Sequence, residues 1–157
     1  MVALEWSDID LKNGTVSINK NYSHISNAVS TVKSKAGNRI ISIDNKTILM
    51  LKQYRNRQRQ IFVEVGATAP SVVFATPTQT YMQIGKRQHA LKTHLKACNI
   101  PRFTFHAFRH THASLLLNAG ISYKELQHRL GHANITMTLD IYSHLSKRER
   151  KRSCFLL

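Results

Sequence analysis

Two runs, Phe105-His106-Ala107-Phe108-Arg109-His110-Thr111 and Leu130-Gly131-His132, each belong to a helix whose ends are written into the chain. Thr104 opens the first helix, which runs to Asn118 and stops at Gly120. Ser122-Tyr123-Lys124-Glu125 is a capping box that opens the second, which continues through Leu130 and ends at Gly131. The separation of three puts His106 and Arg109 on one helix face, close enough to grip a single anion. Arginine brings a planar fork of donors matched to phosphate oxygens, and it never loses its charge. An isolated pair of this kind more often satisfies buried carbonyls or faces solvent. His132 falls in a turn between helices, where a side chain can point into a cleft or simply bond the last carbonyls as a C-cap.

Downstream, Asn134 caps a last helix through about Leu145. It places Tyr142 in register with Ile135 and Leu139, the stripe that a plain core tyrosine also shows. Residues 146–152 are a charge run, followed by the apolar tail Cys154-Phe155-Leu156-Leu157. Upstream, 81–97 reads as a helix with Ile84, Leu91 and Leu95 on one side, and 63–80 as loop around Val72-Val73-Phe74. Asp44 caps a helix over 45–63 with Ile48, Leu51, Tyr54 and Ile61 facing inward. Alternation predicts strands over 15–20, 28–33 and 39–43, with Lys33 and Lys35 near the tip of the last hairpin. The expected fold is α+β and mostly helical, one domain over 1–157 with a small three-stranded antiparallel sheet.

The 157 residues carry 23 Lys and Arg against 8 Asp and Glu, a net charge of +15. A hydrophobic content of 42% furnishes a real core, which excludes a disordered basic tail. Solubility needs a net charge of only about 2 to 8, so the surplus points to a polyanion, with nucleic acid ahead of an anionic membrane surface. No apolar run reaches the length of a membrane span, and no signal-peptide pattern opens the chain. The two cysteines, Cys98 and Cys154, are no disulfide framework and suit a reducing cytoplasm. His106, His110 and His112 cluster, and His128 precedes His132 by four, a spacing that can chelate zinc. No nearby Cys, Asp or Glu completes a set and Arg109 would repel a cation, so no metal is expected.

Order and spacing lift these residues above their ordinary readings. Leu4-Glu5-Trp6-Ser7-Asp8-Ile9-Asp10, Lys33-Ser34-Lys35-Ala36-Gly37 with Arg39, the His106-to-Thr111 run, and Leu130-Gly131-His132 with Tyr142 ten residues later appear in that order. In this the chain resembles the catalytic domain of the tyrosine recombinases, the phage and transposon integrases. The resemblance implies that Tyr142 is the nucleophile that attacks a DNA phosphodiester and leaves a 3′-phosphotyrosyl link. It implies that Arg109 clamps the scissile phosphate and that His106 accepts a proton or binds phosphate. His132 would bond a phosphate oxygen and Lys35 would protonate the leaving 5′-oxygen, with Lys33 as the alternative. Lys33, Lys35, Arg39 and Arg109 would meet the DNA. The implied partners are double-stranded DNA and further copies in a homo-tetramer on it, with no cofactor, metal or membrane, in a bacterial cytoplasm.

In the family a first clamp arginine precedes the Trp-x-Asp-Ile-Asp stretch, and no arginine lies between Met1 and Glu5. The expectation is therefore an amino-terminally truncated domain that binds DNA but cleaves it poorly. A catalytically silent DNA-binding module of the same ancestry is the alternative, and a type IB topoisomerase would use similar chemistry. The basic, then apolar, segment 146–157 is either a docking segment for a neighbouring protomer or a solvated end.

Overall fold

The computed structural model describes residues 3–23, 26, 28–32, 34 and 36–139. Lys33, Lys35, Tyr142 and the 146–157 tail lie outside them. The chain divides into two compact units, one of residues 1–33 and 38–86, the other of 34–37 and 87–157.

The first unit opens with a 3-10 turn, Trp6–Asp8, followed by β1 (Ile9–Asp10), β2 (Thr15–Ile18), β3 (Lys20–Ser23), β4 (Ala28–Thr31) and β5 (Arg39–Ser42). A three-stranded antiparallel sheet is present, in the order β1–β2–β5, while β3 and β4 form a separate pair. The stretch around 28–31 therefore does not join that sheet, and β1 takes the place expected for it. Period-two alternation identifies a strand but not its partner. Thr31 faces Lys20 and Arg39 faces Ile18, and the Val32 amide donates to the Asn19 carbonyl at 3.2 Å. β4 and β5 do not pair with each other, so the hairpin expected between them is not formed. The amide of Gly37 donates to the Ser34 carbonyl at 3.0 Å and closes a tight turn there.

Trp6, Ile9, Val16 and Val73 form the core of this unit, with Leu4, Leu11, Ile18, Ile41, Ile43 and Leu51 packed around them. The apolar run inside the 63–80 loop supplies Val73, fully buried, and the Val73 amide donates to the Leu4 carbonyl at 3.0 Å. Helix α1 (Asn45–Glu64) starts where Asp44 accepts from the Thr47 amide at 2.8 Å. Its inward residues are Gln58 and Phe62, whereas Ile61 and Tyr54 are 43% and 40% exposed. Gln58 is buried because it completes the hydrogen bonding of the core: its Oε1 accepts from Trp6 Nε1 at 2.8 Å, and its Nε2 donates to the carbonyls of Val72 and Val73. Lys20 ties the ribbon to the 3-10 turn through Glu5 at 2.7 Å and Asp8 at 3.1 Å, and the Tyr81 hydroxyl donates to Glu5 at 2.7 Å.

The second unit carries the body of α2 (Ile84–Ala97), with α3 (Phe105–Asn118) and α4 (Tyr123–Leu130). Ala113, Leu126 and Leu130 are its buried centre, flanked by Leu116, Leu117 and Ile121. The Ser122–Glu125 capping box is formed in both directions. Helix α4 ends in a Schellman turn: the His132 amide reaches back to the Gln127 carbonyl at 3.1 Å and the Gly131 amide to that of His128 at 3.0 Å. That turn requires φ of +69° at Gly131, the left-handed region glycine enters without strain. Asn134 accepts from the Thr136 amide at 3.1 Å and starts a helical segment whose described residues are 136–139. Among the described residues no helix is long and apolar enough to cross a membrane.

Candidate active site

Helix α3 and the turn after α4 bring two of the sequence candidates, Arg109 and the turn that carries His132, into contact. Arg109 lies one helical turn beyond His106 on α3, and its Nη2 donates to the Leu130 carbonyl oxygen at 2.5 Å. The Schellman turn satisfies the carbonyls of Gln127 and His128, and Arg109 takes one of those beyond them. A guanidinium at a helix carboxy-terminus also meets the negative end of the helix dipole. Partial burial pushes Arg109 below the ordinary arginine value, yet such a group keeps its charge at any physiological pH. One of its N–H groups is spent on the carbonyl, so the fork is fixed in place with donors in reserve. The carbonyl-binding reading of this arginine and the anion-binding one are therefore both compatible with the geometry.

His132 follows that carbonyl by two residues and is buried, at 8% exposed. Its backbone is pinned from both sides, because its carbonyl also accepts from Gln127 Nε2 at 3.1 Å. Its Nδ1 lies 3.0 Å from the hydroxyl of Thr138. His106 is exposed, with its ring edge-on to that of His110 at 5.6 Å between centroids. Arg39, in β5 of the first unit, is half-buried opposite Ile18.

Within the histidine cluster, His112 is held by an arginine. Arg129 Nε donates to His112 Nε2 at 3.0 Å, which binds the two helices α3 and α4. Partial burial of the ring pushes His112 down, and the charge of Arg129 adds to the effect. Among the described residues, no three His, Cys, Asp or Glu side chains gather as ligands.

The model of the phage integrase family matches residues 1–149. The chain belongs to that family. Integrase relatives include the ICEBs1 integrase of Bacillus subtilis, 30% identical over 156 residues. The match takes in 96% of this chain and 42% of that protein. The integrase of Staphylococcus phage L54a is 31% identical over 156 residues, covering 94% of this chain and 44% of its own length. The chain thus spans less than half the length of these relatives. Among solved structures, the Tn1549 transposon integrase in complex with circular intermediate DNA has the same fold, with a TM-score of 0.75 at 23% identity. That likeness covers 95% of this chain and 53% of the other. The XerA recombinase likewise matches with a TM-score of 0.68 at 19% identity, over 95% of this chain and 51% of its own.

For this integrase-family chain the sequence missed Thr138. Ile135 and Leu139, whose register with Tyr142 a plain core tyrosine would also show, are each 40% exposed, and the fully buried residue between them is Thr138. Thr136-Met137-Thr138 reads as a polar surface stretch, and no local signal marks the second threonine.

Proposed function

We propose that this chain is the strand-exchange domain of a site-specific DNA recombinase, which breaks and rejoins duplex DNA through a 3′-phosphotyrosyl intermediate. The observation that carries the proposal is the bond from Arg109 to the Leu130 carbonyl, which sets a permanent cation beside the turn that holds His132. In the reaction, Tyr142 Oη attacks the scissile phosphorus. A Tyr–O–P bond forms and the bond from phosphorus to the 5′-oxygen breaks. His106 takes the phenolic proton, and Lys35 supplies one to the departing 5′-oxygen, with Lys33 as its alternative.

A free tyrosine has a pKa of about 10, so the attack needs a base and a cationic site beside it. Arg109 and the Nε2–H of His132 donate to the non-bridging oxygens, where negative charge grows in the transition state. The phosphotyrosyl link conserves the bond energy. Attack by the 5′-hydroxyl of another strand then reverses the step and rejoins DNA without ATP or metal.

Several observations support these assignments. Ser34–Gly37 belongs to the same compact unit as Arg109 and His132. The net charge of +15 suits a polyanionic duplex, with Arg39 as a further contact. The Tn1549 integrase was captured on circular intermediate DNA. Assembly as a homo-tetramer on DNA, in a bacterial cytoplasm, completes the proposal.

The test is covalent trapping by the polypeptide its gene encodes, on nicked duplexes drawn from the sequence flanking that gene. A denaturant-resistant DNA adduct that disappears in Tyr142→Phe is expected. Salt-dependent binding with no adduct under any condition would instead establish a silent DNA-binding module.

A further inference from the structure

Thr138 is a fully buried polar residue of the second unit, and its hydroxyl meets an imidazole. Its position is fixed from the backbone. The Asn134 side chain accepts from the Thr136 amide at 3.1 Å, and the Thr138 amide donates to the Ile135 carbonyl at 2.9 Å. The partner is fixed as well, since Gln127 bonds both the amide and the carbonyl of His132. With both main chains held, the rotation of the imidazole and the choice of which nitrogen carries its proton remain to be set. The 3.0 Å contact between Thr138 Oγ1 and His132 Nδ1 bears on both.

The direction of that hydrogen bond follows from burial. A buried hydroxyl proton needs an acceptor, because leaving it without one costs about 1 to 3 kcal/mol. The acceptor this structure gives it is Nδ1. A ring that accepts at Nδ1 carries its proton at Nε2. We propose that Thr138 is a positioning residue: its hydroxyl donates to Nδ1 of His132, fixing the ring and holding its proton on Nε2, the nitrogen that meets the scissile phosphate. The role of Nε2 rests on the recombinase reading above, whereas the direction of the Thr138 bond does not. Thr138 touches no reacting atom, so its effect on the reaction passes wholly through His132.

The experiment has two parts. Nitrogen-detected NMR of the ¹⁵N-labelled chain reads the His132 tautomer directly, in wild type, Thr138→Ser and Thr138→Val. The expected result is a bare, pyridine-like Nδ1 in wild type and Thr138→Ser, and a mixture of tautomers in Thr138→Val, which keeps the shape but loses the hydroxyl. In the polypeptide its gene encodes, cleavage by Thr138→Val should fall about 10- to 100-fold, the usual effect of removing the partner that orients a functional histidine. DNA binding should stay constant and Thr138→Ser should restore cleavage. A proton on Nδ1 in the wild type overturns the inference even if the valine variant does not fold. An unchanged tautomer in a folded Thr138→Val overturns it too. If the tautomer responds as expected but His132→Ala cleaves normally, Thr138 keeps its role and the phosphate contact of His132 is what fails.

Discussion

Arg109 and Leu130 are joined by a hydrogen bond of 2.5 Å between a guanidinium on one helix and a carbonyl at the end of the next. This bond locks the only permanently cationic side chain of the His106–Thr111 run against the turn that carries His132. It also satisfies a helix-terminal carbonyl, so under the proposed function one side chain serves packing and chemistry together.

Arg109→Lys should therefore fail in both tasks. An ammonium is a point donor and cannot span a carbonyl and a phosphate as a planar fork does. Arg109→Ala and Arg109→Lys should each lower adduct formation by about 100- to 1,000-fold, on the scale of removing one transition-state donor. The loss of the carbonyl bond should lower stability by only about 1 kcal/mol. Trapping assays and urea melts of the same variants separate the two effects.

Gly131 tests the turn. Alanine in the left-handed region costs about 1 to 2 kcal/mol, and Gly131→Ala should lose that much in urea unfolding. Gly131→Asn should lose far less, because Asn99 already occupies the equivalent position after α2 with φ of +53°.

Gln58 tests the core of the first unit. Gln58→Leu fits the space but leaves the Trp6 N–H and the carbonyls of Val72 and Val73 without their partner. A loss of about 3 kcal/mol is expected in the urea midpoint, since buried polar groups stripped of a partner retain the full desolvation cost.

These two residues also mark how far the sequence could be read. The capping box at Ser122, the cap at Asp44 and the stop at Gly131 are local chemistry, so their positions were legible and hold in the structure. The inward phase of α1 was legible only in part: Leu51 packs on the core as expected, but the buried face also includes a glutamine whose reason for burial is a tryptophan 52 residues away. The pairing of 28–31 was missed for a similar reason, as alternation marks a strand but not its partner, here β3. In the site, the shared face of His106 and Arg109 follows from helical spacing alone. The link from Arg109 to the His132 turn depends on the Leu130 carbonyl, and the contact of Thr138 with His132 on burial; both are tertiary facts.

His112 gives the account a pH dependence. Its folded-state pKa is lowered by burial and by Arg129, so the unfolded chain binds more protons in the acid range. Stability therefore rises with pH there. The His112 contribution is complete above the ordinary histidine value of about 6.5 and is lost as pH falls through the lower folded value. Thermal melts between pH 5 and 8 should show this slope, and His112→Leu should flatten it. An equal slope in the variant would remove His112 from the explanation.

The central claim is that Arg109 and His132 hold one phosphate between them. Titrating the ¹⁵N-labelled chain with inorganic phosphate, while following the Arg109 guanidinium and His132 ring signals, measures it most directly. Both sets of signals should move together along a single binding curve, and Arg109→Ala should abolish the His132 response. Independent curves, or a response at one residue alone, would contradict a shared phosphate site.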